Sequence, residues 1–360
     1  MSRILYAASS MSHINNFHRD YIKALTDMGH EVQILARGDG ADHNVPFEKR
    51  IFSRKNAECR RMISKIVRDG GFDAVLLNTT LAAFHIRLAI RGKNRPRIVN
   101  FVHGYLFSRH TGIIKRRILL LCEKILKSRT DAIIVMNKED LGIAEKNALT
   151  KGKVYFTNGM GIKPRVPHLS RNEVRAMTKD ENSYVMTFVG ELSGRKNQEF
   201  LIRALKRVRE YIPSAVLWLV GDGGERQRLE AVCAELSLSD SVRFVGQTPY
   251  ACDYMRASDL YVSAAVSEGL PFNIIEAASC RLPILASRVK GQEDIIIDGE
   301  CGCLYTLGDT EQFVEMVRRI HSGEISLSAD RIFERYEHYS SERVFDDTLA
   351  TVIDAMDIER

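Results

Sequence analysis

Short apolar runs alternate with segments of helical spacing almost from the first residue. Residues 3–8 are apolar after Arg3 and end in Ser9-Ser10, which predicts a buried first strand. Residues 15–28 carry Phe17, Tyr21, Ile22 and Leu25 at helical spacing and stop at Gly29. A second strand is predicted over residues 31–36, with Gly38-Asp39-Gly40 as the loop behind it. Basic helices are predicted over 54–68 and 81–91, the second following a strand over 73–77. Apolar runs at 97–102, 131–136 and 153–156 complete a first series. The pattern then starts again, with strands over 184–190, 215–220, 242–246, 259–263 and 283–287. Helices accompany them from near Gln198, from Asn273, and over 310–320 and 341–356. Such alternation predicts an α/β protein of parallel sheets with helices on both faces, doubly wound in each half. The polar, proline-bearing stretch between the halves reads as a linker over 165–182.

Candidate chemistry concentrates where strands end. In the stretch from Ser263 to Ala278, Gly269 and Pro271 force a turn between a strand and a helix. Glu268 then sits in the turn and Glu276 about two turns into the helix. Ligands of open parallel sheets bind at the carboxyl ends of strands, where this turn lies. Two carboxylates eight positions apart suit two hydroxyl-bearing parts of one ligand; the plainer alternative is a βα turn with two solvated glutamates. The strand over 184–190 ends in Gly190, and the loop through Gly194, Arg195, Lys196 and Asn197 leads into a helix. A flexible loop, two cations and a helix amino terminus together attract a diphosphate. Another strand ends in His103-Gly104, a pair able to offer an imidazole and bare backbone to a ligand.

Length and charge refine this picture. The 360 residues suggest two domains, and 45% hydrophobic residues suffice for a core in each. Residues 1–164 hold 29 Lys and Arg against 14 Asp and Glu, a balance of +15. Residues 165–360 hold 23 against 32, a balance of −9. The basic half therefore faces something anionic. Within it, residues 108–129 interleave Ile113, Ile114, Ile118, Leu121, Ile125 and Leu126 with Lys115, Arg116, Arg117, Lys124, Lys127 and Arg129. That pattern fits either a packed helix with a solvated basic face or an interfacial helix on anionic lipid. Nucleic acid is disfavoured as a partner, because no helix-turn-helix, zinc or aromatic RNA-binding signature accompanies the charge. Seven scattered cysteines without a CxxC imply reduced thiols and a cytoplasmic setting. No apolar run is long enough to span a membrane, and residues 4–8 are too short for a signal-peptide core. The loop after the first strand lacks a glycine fingerprint, which disfavours nicotinamide binding.

The phrase Ser267-Glu268-Gly269-Leu270-Pro271 with Glu276-Ala277 is followed by Arg281-Leu282-Pro283 and by Gly291-Gln292-Glu293-Asp294. Together these resemble the donor-site signature of retaining glycosyltransferases of the GT-B fold, glycosyltransferase family 4. The Gly190 to Asn197 loop, the His103-Gly104 pair and the Asn158-Gly159 turn are similar to that family as well. The resemblance implies two Rossmann-like domains facing a central cleft: an acceptor-side domain over 1–164, a nucleotide-sugar domain over 183–340, and a terminal helix, 341–360, returning to the first domain. It assigns Arg195 and Lys196 to the donor diphosphate and Glu276 to the ribose hydroxyls. Glu268 and His103 face the donor sugar, and the N–H groups of Gly269 and Leu270 lie near the diphosphate. Gly190 and Gly246 offer backbone to the donor, and Asp294 is a weaker contact.

The expected activity is retaining transfer of a sugar, from a UDP-sugar, to a polyprenyl-diphosphate-linked saccharide in bacterial capsule, exopolysaccharide or O-antigen synthesis. Retention is implied by the resemblance alone. A nucleotide-sugar epimerase of the same fold, or a non-catalytic nucleotide-sugar binder, are the alternatives; intact Glu268, Arg195 and His103 argue against the binder. The chain has no Asp-x-Asp, the motif with which transferases of the other common fold hold a metal on the diphosphate, so no metal and no cofactor are expected. The basic first half fits a protein on the cytoplasmic face of the cell membrane, bound peripherally to an anionic leaflet.

Overall fold

Two all-parallel sheets carry the chain. The first contains β1 (Arg3–Ala7), β2 (Glu31–Ala36), β3 (His43–Asn44), β4 (Ala74–Leu77), β5 (Arg97–Val102), β6 (Ala132–Val135) and β7 (Val154–Phe156), in the order β3-β2-β1-β4-β5-β6-β7. The second contains β8 (Tyr184–Val189), β9 (Ala215–Val220), β10 (Val242–Gly246), β11 (Leu260–Ser263), β12 (Ile284–Ser287) and β13 (Cys303–Tyr305), in the order β10-β9-β8-β11-β12-β13. In each, the order reverses beside the first strand, which opens a crevice at the carboxyl edge. The computed structural model describes residues 1–48, 53–92 and 94–359. It divides into Met1–Gly161 with Glu342–Arg360, and Ile162–Ser341.

The α/β expectation holds, because buried Val-, Ile- and Leu-rich runs such as β4 and β9 have no exposed face to alternate with. Strand β3 has two residues and β13 three, too short for a periodicity to register. Residues 15–28 do not form one helix. Helices Met11–Phe17 and Arg19–Asp27 meet at His18, whose backbone leaves the helical region at φ −123° and ψ −7°. The ring of His18 is fully buried and bonded to the Tyr6 hydroxyl at 2.8 Å, so tertiary contact interrupts the periodic pattern. The stretch expected to be a linker contains a helix, Arg171–Thr178, started by a capping box between Ser170 and Glu173. Arg175 on that helix reaches Asp259 at 2.7 Å, which ties the segment to the start of β11.

Helix Ile113–Leu126 packs Leu119 and Leu120 against the core but leaves a second apolar set outside. Its buried residues are Glu123 and Leu126. Glu123 forms a two-pronged ion pair with the fully buried Arg87, at 2.8 and 3.1 Å. Ile113, Ile114, Ile118, Leu121 and Ile125 are all more than half exposed. The apolar stripe thus faces outward, alongside Lys115, Arg116 and Arg117, while an ion pair faces the core. Among the described residues no helix is long and apolar enough to cross a membrane. All seven cysteines are free.

Candidate functional site

The second unit builds its site on backbone crowding at the ends of β8 and β9. Gly190 continues β8 with φ 145° and donates its N–H to Val220 at 2.9 Å. Gly221 passes so close that an added Cβ would lie 2.1 Å from the Gly190 carbonyl oxygen, so only glycine fits. Gly246 closes β10 and accepts the Gly221 N–H at 2.9 Å. Beyond Gly190 the chain loops to Asn197, which adopts the left-handed conformation (φ 56°) as helix Gln198–Tyr211 begins. Buried Gln198 clamps the loop, donating to the Glu191 carbonyl at 2.8 Å and accepting the Ser193 N–H at 3.3 Å.

That loop is joined to the turn after β11. The Arg195 carbonyl accepts the Val266 N–H at 2.9 Å. The Arg195 guanidinium donates to the Ser267 carbonyl at 3.1 Å and to Glu268 Oε2 at 2.5 Å. Lys196 Nζ stands 2.6 Å from Glu268 Oε1, as an ion pair without hydrogen-bond alignment. Glu268 and Lys196 are 7% and 8% exposed, so this pair is a desolvated one rather than part of a solvated loop. Arg195, at 48%, keeps its guanidinium accessible. Sequence reasoning gave the cations and the carboxylate separate partners; the fold instead makes the three one ion cluster.

A second turn supports it from below. A Cβ on Gly291 (φ 79°) would meet the Gly269 carbonyl at 2.6 Å and Glu268 at 3.1 Å, so the two turns approach as closely as bare backbone allows. Asp294 accepts the Gly291 N–H at 3.0 Å and so shapes this turn. Buried Gln292 donates to Ser263 at 2.7 Å and accepts from Ser287 at 3.2 Å, linking the ends of β11 and β12. Leu270 is buried beneath the Glu268 turn, beside Gly269.

Glu276 is the fifth residue of helix Phe272–Ser279, about one turn in rather than two. Asn273 on that helix donates to the Val189 carbonyl at 2.8 Å, fastening the helix start to the end of β8. The Glu276 carboxylate is 23% exposed and lies 3.6 Å from Arg165. Burial raises its pKa above 4.5, and the Arg165 charge opposes that rise. Arg165 lies in the stretch read as a linker, and Asn273, Gln198 and Gln292 gave no sequence signal beyond their place beside the motifs.

In the first unit, His103 follows β5 and does not stand alone. Its ring lies 4.9 Å from His13 and 5.1 Å from His18, centroid to centroid, and 4.8 Å from Phe101. Its Nε2 is buried without a hydrogen-bond partner. Burial holds the imidazoles of His18 and His103 well below the ordinary histidine range and brings His13 down to about 4. Asp140 positions the segment, accepting the Tyr105 N–H at 3.1 Å. His13 and His18 lie in and just beyond the loop judged only for its missing glycine; a pair of histidines five apart was the available signal.

Two Rossmann-like units, one with glycine-lined strand ends under a cation-bearing loop, define the GT-B class of glycosyltransferases. The family model "Glycosyltransferase Family 4" matches residues 14–150, and "Glycosyl transferases group 1" matches 170–337. The chain belongs to glycosyltransferase family 4. EpsD of Bacillus subtilis (strain 168) is 26% identical over 332 residues, 89% of this chain and 87% of EpsD. An Escherichia coli UDP-Gal:alpha-D-GlcNAc-diphosphoundecaprenol alpha-1,3-galactosyltransferase is 25% identical over 272 residues, 72% of this chain and 69% of that protein. The crystal structure of Anabaena HepE in complex with UDP and glucose has a TM-score of 0.73 at 20% identity, covering 98% of both chains. The expected fold and family are borne out, and the protein is a glycosyltransferase.

Proposed function

We propose that the protein transfers a sugar, with retention, from a UDP-sugar to a polyprenyl-diphosphate-linked saccharide of a bacterial surface polysaccharide. The observation that carries this reading is the cluster of Arg195, Lys196 and Glu268 at the carboxyl ends of β8 and β11. Arg195 and Lys196 stabilise the departing diphosphate, where preorganised cations act in a partly dry site. The accessible Arg195 fork turns to the diphosphate, which leaves Glu268 held by Lys196 and able to accept from the donor sugar. Glu276 takes the ribose hydroxyls, Gly269 and Leu270 offer N–H groups near the diphosphate, and Gly190 and Gly246 give the donor backbone to lie on. Asp294 acts through the Gly291 turn. His103 serves the donor sugar. With two cations on the diphosphate, no metal is needed there. The names of the Escherichia coli relative and of the HepE complex, which specify a diphosphoundecaprenol-linked GlcNAc acceptor and bound UDP, support the choice of acceptor and base.

The outward apolar stripe of Ile113–Leu126, flanked by Lys115, Arg116, Arg117, Lys124 and Lys127, docks the first unit on an anionic leaflet. Apolar burial and roughly 1 kcal/mol per basic residue near the surface act together. This keeps the enzyme on the cytoplasmic face of the cell membrane, where a carrier lipid is accessible.

A thermal-shift screen of nucleotides and nucleotide-sugars, followed by product analysis with a short-chain polyprenyl diphosphate sugar, tests the proposal. Stabilisation by UDP and a lengthened lipid saccharide are expected. Conversion of the nucleotide-sugar without any acceptor would identify an epimerase instead, and tighter binding of GDP or ADP would overturn the uridine assignment.

A further inference from the structure

We propose that His13, His18 and His103 form a binding site for one divalent transition-metal ion that favours imidazole, with zinc as the representative. The three side chains come from two places: the first helix with the break that follows it, and the residue after β5. Only the fold collects them, because β1 and β5 flank β4 and end at the same sheet edge. Their ligand nitrogens all lie within 4.8 Å of one another.

Two of the three are already spaced as ligands. His13 Nε2 and His18 Nε2 are 3.1 Å apart. Two nitrogens bound at about 2.0–2.1 Å to a tetrahedral ion are separated by roughly 3.3 Å. The His18 ring is also held from its far side, where the Tyr6 hydroxyl sits 2.8 Å from Nδ1. Metal-binding imidazoles have such outer partners, which set the tautomer and aim the other nitrogen inward.

His103 separates a metal site from a mere hydrogen bond between neighbouring rings. A shared proton between His13 and His18 explains their 3.1 Å separation but leaves His103 Nε2 buried with no partner. A buried unpaired nitrogen is unfavourable, and an ion between the rings would satisfy all three. A shift of at most roughly 1.5 Å, the excess of 4.8 Å over the tetrahedral spacing, completes the triangle. Three imidazoles leave a fourth position of the ion open to water or to an oxygen of a ligand. The site lies wholly in the first unit and shares the His103 ring with the proposed donor-sugar contact, so ion and nucleotide-sugar compete for it.

The test uses the full chain, without a histidine tag, after treatment with a chelator. Zn2+ is titrated by calorimetry, and Co2+ by visible absorption. One equivalent of each ion and the intense bands of tetrahedral cobalt are expected. His13→Ala and His103→Ala should each weaken binding by about 100-fold or more, and Tyr6→Phe by about 10–100-fold through the lost outer contact. His13 is partly exposed, so its variant should fold, and circular dichroism verifies each variant. Absence of stoichiometric binding overturns the site, as does binding unchanged in folded His13→Ala and His103→Ala.

Discussion

Glu268 lies 2.6 Å from Lys196, and both side chains are at most one-tenth exposed, so a loop cation and a turn carboxylate form a desolvated pair. Its partner Arg195 reaches the other oxygen of the same carboxylate from a half-exposed position. The two cations consequently answer differently to mutation, although they are adjacent in sequence.

Lys196→Ala should lower stability as well as turnover. Removing one member of a buried pair typically costs 3–5 kcal/mol; about 3 is expected here, because Arg195 still faces the carboxylate. Urea denaturation measures this, and Lys196→Ala combined with Glu268→Ala should recover part of the loss. A lysine variant as stable as the wild type would show that the pair is not desolvated in solution.

Arg195→Ala should leave stability nearly unchanged, because an exposed partner in an ion pair contributes little. Turnover should fall by roughly 100-fold, the usual effect of losing a group that stabilises developing charge. Steady-state kinetics decide this. Wild-type turnover in Arg195→Ala and Lys196→Ala alike would remove the diphosphate assignment.

Glu276 supplies a pH signature. Burial keeps its proton to a pH above 4.5, and ribose hydroxyls need the carboxylate as acceptor. UDP affinity should therefore rise as pH climbs through that raised value and level off above it. The apo protein should move the opposite way, because the unfolded chain releases this proton first, so the group's contribution to stability falls over the same window. Glu276→Gln should flatten the affinity profile and weaken UDP by about 1–3 kcal/mol at neutral pH. Calorimetry across pH that finds identical profiles in both proteins would exclude the ribose contact.

Replacing Lys115, Arg116, Arg117, Lys124 and Lys127 with Gln should abolish binding to anionic vesicles at physiological salt and leave UDP affinity unchanged. Exposed charges are screened beyond about 8 Å at that salt, so wild-type binding should also be released by high salt. Ile114→Ser with Ile118→Ser should weaken binding without altering its salt dependence. Cosedimentation reads all three, and a wild type that ignores anionic vesicles at low salt would leave the stripe without a membrane role.

Added Mg2+ or Mn2+ should leave the turnover of chelator-treated enzyme unchanged, since Arg195 and Lys196 carry the diphosphate charge. Rescue by Mn2+ in a dose-dependent assay would place a metal there.

The sequence by itself determined the two α/β halves, because buried parallel strands must be continuous apolar runs and their connections must be helices. It also located Gly190, Arg195, Lys196 and Glu268 at strand ends and helix starts, since turns need glycine and proline. Partnerships were decided only by tertiary structure. Lys196 meets Glu268 across 72 positions, Arg165 meets Glu276 across 111, and His13 meets His103 across 90. No periodicity encodes such distances, because they depend on which strands lie side by side. The helix Ile113–Leu126 makes the same point in reverse. Its spacing of apolar and basic residues was plain, but not which face is buried: Leu119, Leu120, Leu126 and the Glu123–Arg87 pair face the core, and the isoleucines face outward.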